Sequence, residues 1–121
     1  MDAGLTSQTW RGGGSVPGGR FYRYHVSYPF ASLLLDAGTV WLVMPELFGR
    51  KPDGQTSWTP KELVGVYPVR GRWLSLGRGV ALESRDARSY FFTRRPGPVL
   101  DALQAAGFPV SREERPLRWW S

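Results

Sequence analysis

Cysteine is absent from this chain of 121 residues, and His25 is its only histidine. The first absence excludes disulfides and thiolate metal sites. A single histidine argues against a His-based metal site and against a catalytic triad, since both need further partners for the imidazole. We therefore expect neither a metal nor another cofactor.

Long apolar runs are also absent. No stretch approaches the ~18 residues of a membrane span, and no signal-peptide hydrophobic region follows Met1. We therefore expect a soluble, cytoplasmic protein with a single domain. Aromatic residues are plentiful by contrast, with six Trp, five Tyr and six Phe. The core is expected to combine these rings with Val and Leu.

Lysine is scarce, since the chain has 2 Lys against 14 Arg, and the net charge is +6. A positive balance suits nucleic acid or an anionic membrane surface. The basic residues nevertheless occur singly or in pairs, without a run of five or six. This pattern favours a solvated basic surface over a dedicated polyanion site.

Catalytic motifs are missing as well. The chain has no GxSxG, no HExxH and no Cys nucleophile, and the adjacent Glu113 and Glu114 are expected to point apart on a solvated turn. Gly77-Arg78-Gly79 matches only half of a glycine-rich phosphate loop. These absences predict that the protein is not an enzyme.

The most informative pattern runs from Arg88 to Phe108. Aromatic and β-branched residues predict a strand at Ser89–Arg94, and Pro96 ends it. A helix is expected from Pro98, with one apolar face formed by Val99, Leu100, Leu103 and Ala106. Asp101 is expected in its first turn, and Gly107 with Phe108 predicts a Schellman motif at its end.

Short strands are predicted upstream of this pattern. Residues 20–28 alternate, with the core face expected to hold Tyr22, Tyr24, Val26 and Tyr28 and with His25 on the outer face. Residues 30–44 predict a hairpin around Asp36–Thr39, placed well inside a sheet or barrel. Thr59-Pro60-Lys61-Glu62 predicts a capping box before a strand at Leu63–Val69, and further strands are expected at Trp73–Leu76 and Val80–Ser84.

The two ends of the chain are predicted to lie outside the folded domain. Residues 1–19 are rich in glycine and predict a flexible leader, which leaves a domain at 20–110 and a tail at 111–121. Trp119 and Trp120, beside Arg118, could stack on bases or lie in a membrane interface. Docking of the tail against the domain is the favoured alternative.

Strands in meander order followed by one helix predict a mainly β, α+β fold. Three segments carry a likeness to a known superfold: Phe30-Ala31-Ser32-Leu33, Glu62-Leu63-Val64-Gly65-Val66, and the strand-to-helix junction from Phe92 to Leu103. With them the chain resembles the pleckstrin-homology-like (PH-like) superfold, and in particular small actinobacterial proteins with such a domain. The resemblance implies a bent β-barrel of six or seven antiparallel strands capped by one C-terminal helix.

The PH-like superfold serves lipid-binding, peptide-binding and structural roles. Its phosphoinositide-binding members place basic side chains around the first hairpin. The corresponding segment here, Leu33 to Met44, has no Lys or Arg and carries Asp36, which disfavours inositol-phosphate binding. Peptide binding beside a barrel strand and the C-terminal helix is physically reasonable, because an exposed edge accepts another strand.

The leading hypothesis is a non-enzymatic binding or scaffold module that recognises a protein partner. The alternative is peripheral binding to anionic lipid or nucleic acid. The candidate ligand-binding residues are Arg70, Arg72, Trp73, Arg78, Arg94, Arg95, Arg118, Trp119 and Trp120. Edge strands and aromatic residues are compatible with a homodimer, although no residue requires one.

Overall fold

The computed structural model describes residues 7–17, 23–45, 55–71 and 77–117. These ranges contain eight strands and one helix. The elements are β1 Gln8–Pro17, β2 Arg23–Asp36, β3 Thr39–Val43, β4 Ser57–Trp58, β5 Gly65–Arg70, β6 Arg78–Glu83, β7 Arg88–Phe92, α1 Pro96–Ala105 and β8 Arg115–Pro116.

The strands form one sheet in the order β4-β3-β2-β1-β7-β6-β5-β8. Two antiparallel meanders, β1 to β4 and β5 to β7, are joined where β1 pairs with β7. Among the described residues the sheet is open, with β4 and β8 at its edges. The mainly β class with one C-terminal helix is confirmed. The expected barrel of six or seven antiparallel strands is wrong for the described residues, because they form an open sheet of eight strands in which β8 pairs in parallel with β5.

The predicted flexible leader is wrong for β1, which lies in the middle of the sheet. Residues 12–16 are buried, and β1 pairs with β2 on one side and with β7 on the other. The glycines there serve close packing, because a Cβ on Gly12 would overlap the carbonyl oxygen of Phe92. Residues 1–6, 18 and 19 of the predicted leader lie outside the described residues.

The predicted core face of β2 is correct for Tyr24 and Val26, which are buried, but wrong for Tyr28, which is 71% exposed. The β1–β2 register shifts between Gly12 and Gly14, so residues 27–30 lie opposite Gly13 alone. Beyond this shift the buried positions change parity to Ala31, Leu33 and Leu35. Tyr22 lies outside the described residues.

The β2–β3 hairpin turns at Ala37 and Gly38, whose φ angles of 51° and 81° are those of a type I′ turn. The predicted turn is therefore confirmed. Val40 and Leu42 are buried on the inner face of β3, whereas Trp41 and Val43 are exposed. The predicted position well inside a sheet is wrong for β3, because its outer face is exposed and, in the described part of the chain, only the two residues of β4 lie beyond it.

One of the two hydrogen bonds of the predicted capping box ahead of β5 is confirmed, and a backbone bond takes the place of the other. The Thr59 N–H donates to the Glu62 carboxylate at 2.9 Å, and the Glu62 N–H donates to the Thr59 carbonyl at 3.0 Å. The backbone donor at Thr59 lowers the pKa of Glu62 below its usual value. This single turn leads into β5 and places Leu63 in the main core.

The helix α1 closes over the inner face of the sheet through Val99, Leu100 and Leu103. Its predicted Schellman end is confirmed, because the Phe108 N–H donates to the Leu103 carbonyl and the Gly107 N–H to the Gln104 carbonyl, each at 3.0 Å. The helix begins at Pro96 rather than Pro98, so the prediction that Asp101 lies in its first turn is wrong. The Asp101 carboxylate instead pairs with Arg112 at 2.7 Å.

The tail docks on the sheet as far as Leu117, as favoured from the sequence. The Ser111 N–H donates to the Val66 carbonyl at 2.8 Å, and the Leu117 N–H donates to the Arg70 carbonyl at 3.0 Å. Between these contacts β8 pairs in parallel with the end of β5. Residues 118–121 lie outside the described residues.

Candidate functional site

A cleft of about 650 Å³ opens beside the N-terminal half of β1. Its volume lies in the range of ligand-binding sites, roughly 300–1,000 Å³. We call it the arginine cleft, because four arginines and three aromatic residues contribute to its lining, namely Arg11, Arg78, Arg94, Arg95, Trp10, Tyr28 and Phe92.

The arginine cleft exists because β1 and β7 diverge. The two strands pair only at Gly13–Phe92, Gly14–Phe91 and Ser15–Tyr90. Continuing that register would place Arg94 opposite Arg11, and like charges directly opposite each other destabilise a sheet. Pro96, which has no N–H to donate, begins α1 instead. Among the described residues, β1 therefore continues with β2 alone, and a gap opens on its other side.

A short hydrogen-bonded turn brings three of the four arginines together. The Thr93 N–H donates to the Arg78 carbonyl at 3.0 Å, and the Arg95 N–H donates to the Thr93 hydroxyl oxygen at 3.2 Å. These bonds tie the start of β6 to the segment between β7 and α1. Arg78, Arg94 and Arg95 are all exposed, so their guanidinium groups are accessible to a ligand.

The described lining of the arginine cleft carries only positive charge. No acidic side chain occurs among the described residues that line it. Arginine remains protonated across the accessible pH range, and its planar group binds carboxylate and phosphate through paired hydrogen bonds. The first turn of α1 also lacks an acidic residue, so the positive end of the helix dipole is not offset there. The site therefore favours an anionic ligand.

The structure gathers three of the residues predicted from the sequence, Arg78, Arg94 and Arg95, in one site. Arg70 is not part of it, because it lies at the end of β5 and pairs with Glu114 of the tail at 3.4 Å. The other predicted site residues, Arg72, Trp73, Arg118, Trp119 and Trp120, lie outside the described residues.

Sequence reasoning missed Trp10, Arg11 and Tyr28 as site residues. The first two were assigned to a leader, and Tyr28 was assigned to the core. Thr9 and Trp10 do have β-forming side chains, so a strand signal was present before the glycines. The pairing of Gly13 with Phe92, which brings Arg11 beside Arg94, is non-local and leaves no periodic signal.

A smaller cavity of about 240 Å³ lies beneath the tail, between Tyr67, Tyr90 and Arg115. The Tyr67 hydroxyl donates to Glu83 at 2.7 Å, and the Arg115 guanidinium lies 4.2 Å from the centre of the Tyr67 ring. Burial, followed by the hydrogen bond to Glu83, raises the pKa of Tyr67 to about 12. The hydrogen bond and the contact between guanidinium and ring therefore join these side chains to one another. Such internal pairing is typical of a cluster that stabilises the fold.

Within the described ranges, no group of three or more His, Asp or Glu residues could hold a metal ion. No helix found there combines the length and the apolar character that crossing a membrane requires. No protein-family model matches the chain, and neither curated proteins nor solved structures yield a significant match. The function must accordingly be argued from the geometry of the site.

Proposed function

We propose that this protein is a non-enzymatic binding module that recognises a protein partner through the arginine cleft. The observation that carries the proposal is the convergence of four arginines and three aromatic residues on one cleft, with no acidic residue in the part of its lining that the structure describes. An acidic segment with apolar side chains matches this lining, because carboxylates pair with the guanidinium groups and apolar groups pack on the rings.

The distribution of charge supports a local ligand over a long polyanion. Three arginines elsewhere are already paired with carboxylates, at distances of 2.7–3.5 Å: Arg70 with Glu114, Arg88 with Glu83, and Arg112 with Asp101. Polyanion binding sites instead follow the phosphate backbone with a continuous cationic surface. Among the described residues, these three ion pairs reduce the positive charge away from the arginine cleft, which suits a short acidic segment.

Anionic lipid or nucleic acid is the second candidate ligand. Tyr28 favours it, because this ring is 71% exposed at the arginine cleft. An exposed ring beside cations can stack on a base or enter a lipid interface. Binding of this kind weakens steeply with salt, whereas a ligand that also packs on Trp10 and Phe92 retains more affinity.

The PH-like assignment and a cytoplasmic setting belong to the same proposal. A mainly β sheet followed by one amphipathic helix supports the PH-like assignment. The absence of cysteine is compatible with a reducing compartment and so with a cytoplasmic setting.

Fluorescence anisotropy with a labelled peptide of alternating Glu and Val tests the site. Replacing Arg94 and Arg95 together by Ser is expected to weaken binding by about tenfold or more, since one charge-assisted hydrogen bond contributes roughly 1.5–3 kcal/mol. Arg85→Ser, on the exposed β6–β7 turn, is the matched control and should bind like the parent.

A peptide of alternating Lys and Val should not bind, because the arginine cleft repels it. Titrations with a single-stranded oligonucleotide and with phosphatidylserine vesicles complete the panel. If the oligonucleotide or the vesicles bind in a salt-sensitive manner and the acidic peptide does not, the protein-partner proposal is wrong.

A further inference from the structure

One edge of β1 is open towards the arginine cleft. From Gln8 to Gly12 the strand pairs with β2 on one side, through residues Ala31–Leu35. On its other side β7 pairs only with Gly13–Ser15. In the part of the chain that the structure describes, no strand continues this pairing towards Gln8.

An open strand edge presents backbone N–H and C=O groups in the spacing of a sheet ladder. Such an edge can accept another extended segment, and this is one of the recurrent ways in which proteins recognise peptides. Natural proteins protect their edges by shortening, charging or covering them. Here the arginine cleft surrounds the edge with positive charge, which discourages pairing with a segment that is not acidic.

We propose that an extended acidic segment of the partner adds to β1 as a strand along Gln8–Gly12, in the place that β7 vacates after Phe92. This inference rests on the proposed function and adds the mode of binding. The added segment continues the sheet between β1 and the Arg94–Arg95 turn, with its backbone hydrogen-bonded to β1 and its side chains in the arginine cleft.

The register of β1 determines which type of side chain fits at each position of the added segment. Trp10 lies opposite Leu33, which is buried, and Trp10 packs against the main core. Arg11 lies opposite Ser32 on the other face of the sheet. Because residues of a strand alternate between faces, successive residues of the added segment lie on the face of Trp10 and then on the face of Arg11. The segment that fits alternates apolar and acidic residues.

The alternation of apolar and acidic residues distinguishes the proposed partner segment from other acidic ligands. A peptide with all of its Glu residues in one block and all of its Val residues in another has the same composition and charge. Its strand form would place a Glu beside Trp10 or a Val beside Arg11, so it should bind more weakly than the alternating peptide. Electrostatic attraction alone would not distinguish the two peptides.

Two N-methylated isomers of the alternating Glu–Val peptide test the backbone contact. In one isomer the methyl groups are on the odd-numbered amides, and in the other they are on the even-numbered amides. Successive N–H groups of a strand point to opposite edges, so only one isomer is blocked on the edge that faces β1. We expect one isomer to lose about tenfold or more in affinity and the other to bind like the parent peptide.

Hydrogen exchange of the protein provides the second readout. The amides of Gln8–Gly12 that point away from β2 should exchange more slowly with the unmethylated peptide bound, whereas the amides of α1 should not change. Equal affinities of the two methylated isomers, whether both are retained or both are lost, would overturn strand addition. If the Arg94→Ser/Arg95→Ser variant still loses binding in that case, the arginine cleft remains the site and only the binding mode is wrong.

Discussion

At the scale of single residues, Tyr67 connects the tail to the sheet. The residue is 4% exposed, its hydroxyl donates to Glu83, and the Arg115 guanidinium lies over its ring. Glu83 in turn pairs with Arg88 at 3.5 Å. The phenol is stabilised in its neutral, hydrogen-donating form, since a phenolate would lie buried beside a carboxylate.

The raised pKa of Tyr67 predicts how stability changes in alkaline solution. The unfolded chain releases the phenol proton near its ordinary pKa of 10.0, whereas the folded protein holds it to about 12. The stabilising contribution is therefore complete below pH 10 and is lost as the pH rises from 10 towards 12. Urea unfolding at a series of pH values should show this decline in the free energy of unfolding.

Tyr67→Phe is the matched control for that decline. Below pH 10 this variant is expected to be less stable by about 1 kcal/mol, because the hydrogen bond to Glu83 is lost. Above pH 10 the difference between variant and parent should shrink. A constant difference across the whole range would show that Tyr67 does not titrate as described.

At the scale of elements, β1 depends on glycines that allow close approach to its neighbours. A Cβ on Gly12 would overlap the Phe92 carbonyl, and one on Gly13 would lie 2.9 Å from the Val26 carbonyl oxygen. The same glycines end the β1–β7 pairing beside the arginine cleft. The position of Arg11 relative to Arg94 therefore depends on how closely β1 and β7 approach.

Gly12→Ala is expected to destabilise the protein by about 3 kcal/mol, because backbone must move to relieve the overlap. Gly97→Ala is the matched control, since a Cβ at that position of α1 meets no atom within 4 Å. Alanine there should change the free energy of unfolding by less than about 1 kcal/mol, because its better helix propensity is offset by the restriction that Pro98 places on the residue before it. Urea unfolding measures both, and similar effects of the two substitutions would contradict the packing of β1.

The elements that could be predicted from the sequence have local signals. The Asp36–Thr39 turn, the Thr59–Glu62 capping box and the Gly107 helix end each depend on residues within a few positions of one another. The role of β1 depends on Gly13 meeting Phe92, which no local pattern records. The parity change in β2 likewise follows from a register shift against β1, so Tyr28 was assigned to the wrong face.

In the candidate site, too, residues with local sequence signals could be predicted and residues placed by non-local pairing could not. Arg94 and Arg95 lie within the strand-to-helix junction from Phe92 to Leu103, and Arg78 lies between Gly77 and Gly79, so their exposure could be inferred. Arg11 could not be placed, because it lies in a segment whose composition is typical of a linker. Three of the four arginines were therefore identified, but their convergence was visible only in the folded chain.

At the scale of the whole molecule, two meanders meet along a short β1–β7 pairing and separate beyond it. The separation forms the arginine cleft on one side of the junction. At the β8 edge of the sheet, the tail covers the end of β5, and its Glu114 forms an ion pair with Arg70. Arg70 is therefore paired with a carboxylate, whereas the arginine cleft presents its positive charge to a ligand.

We propose that the arginine cleft is the binding site of this protein. Amide chemical shifts of the ¹⁵N-labelled protein, recorded during titration with the alternating Glu–Val peptide, locate the bound peptide. We expect the largest changes at Trp10, Arg11, Arg78 and Arg94, with little change at Tyr67 and Glu83. Changes confined to Tyr67, Glu83 and the tail, or no changes at saturating peptide, would contradict it.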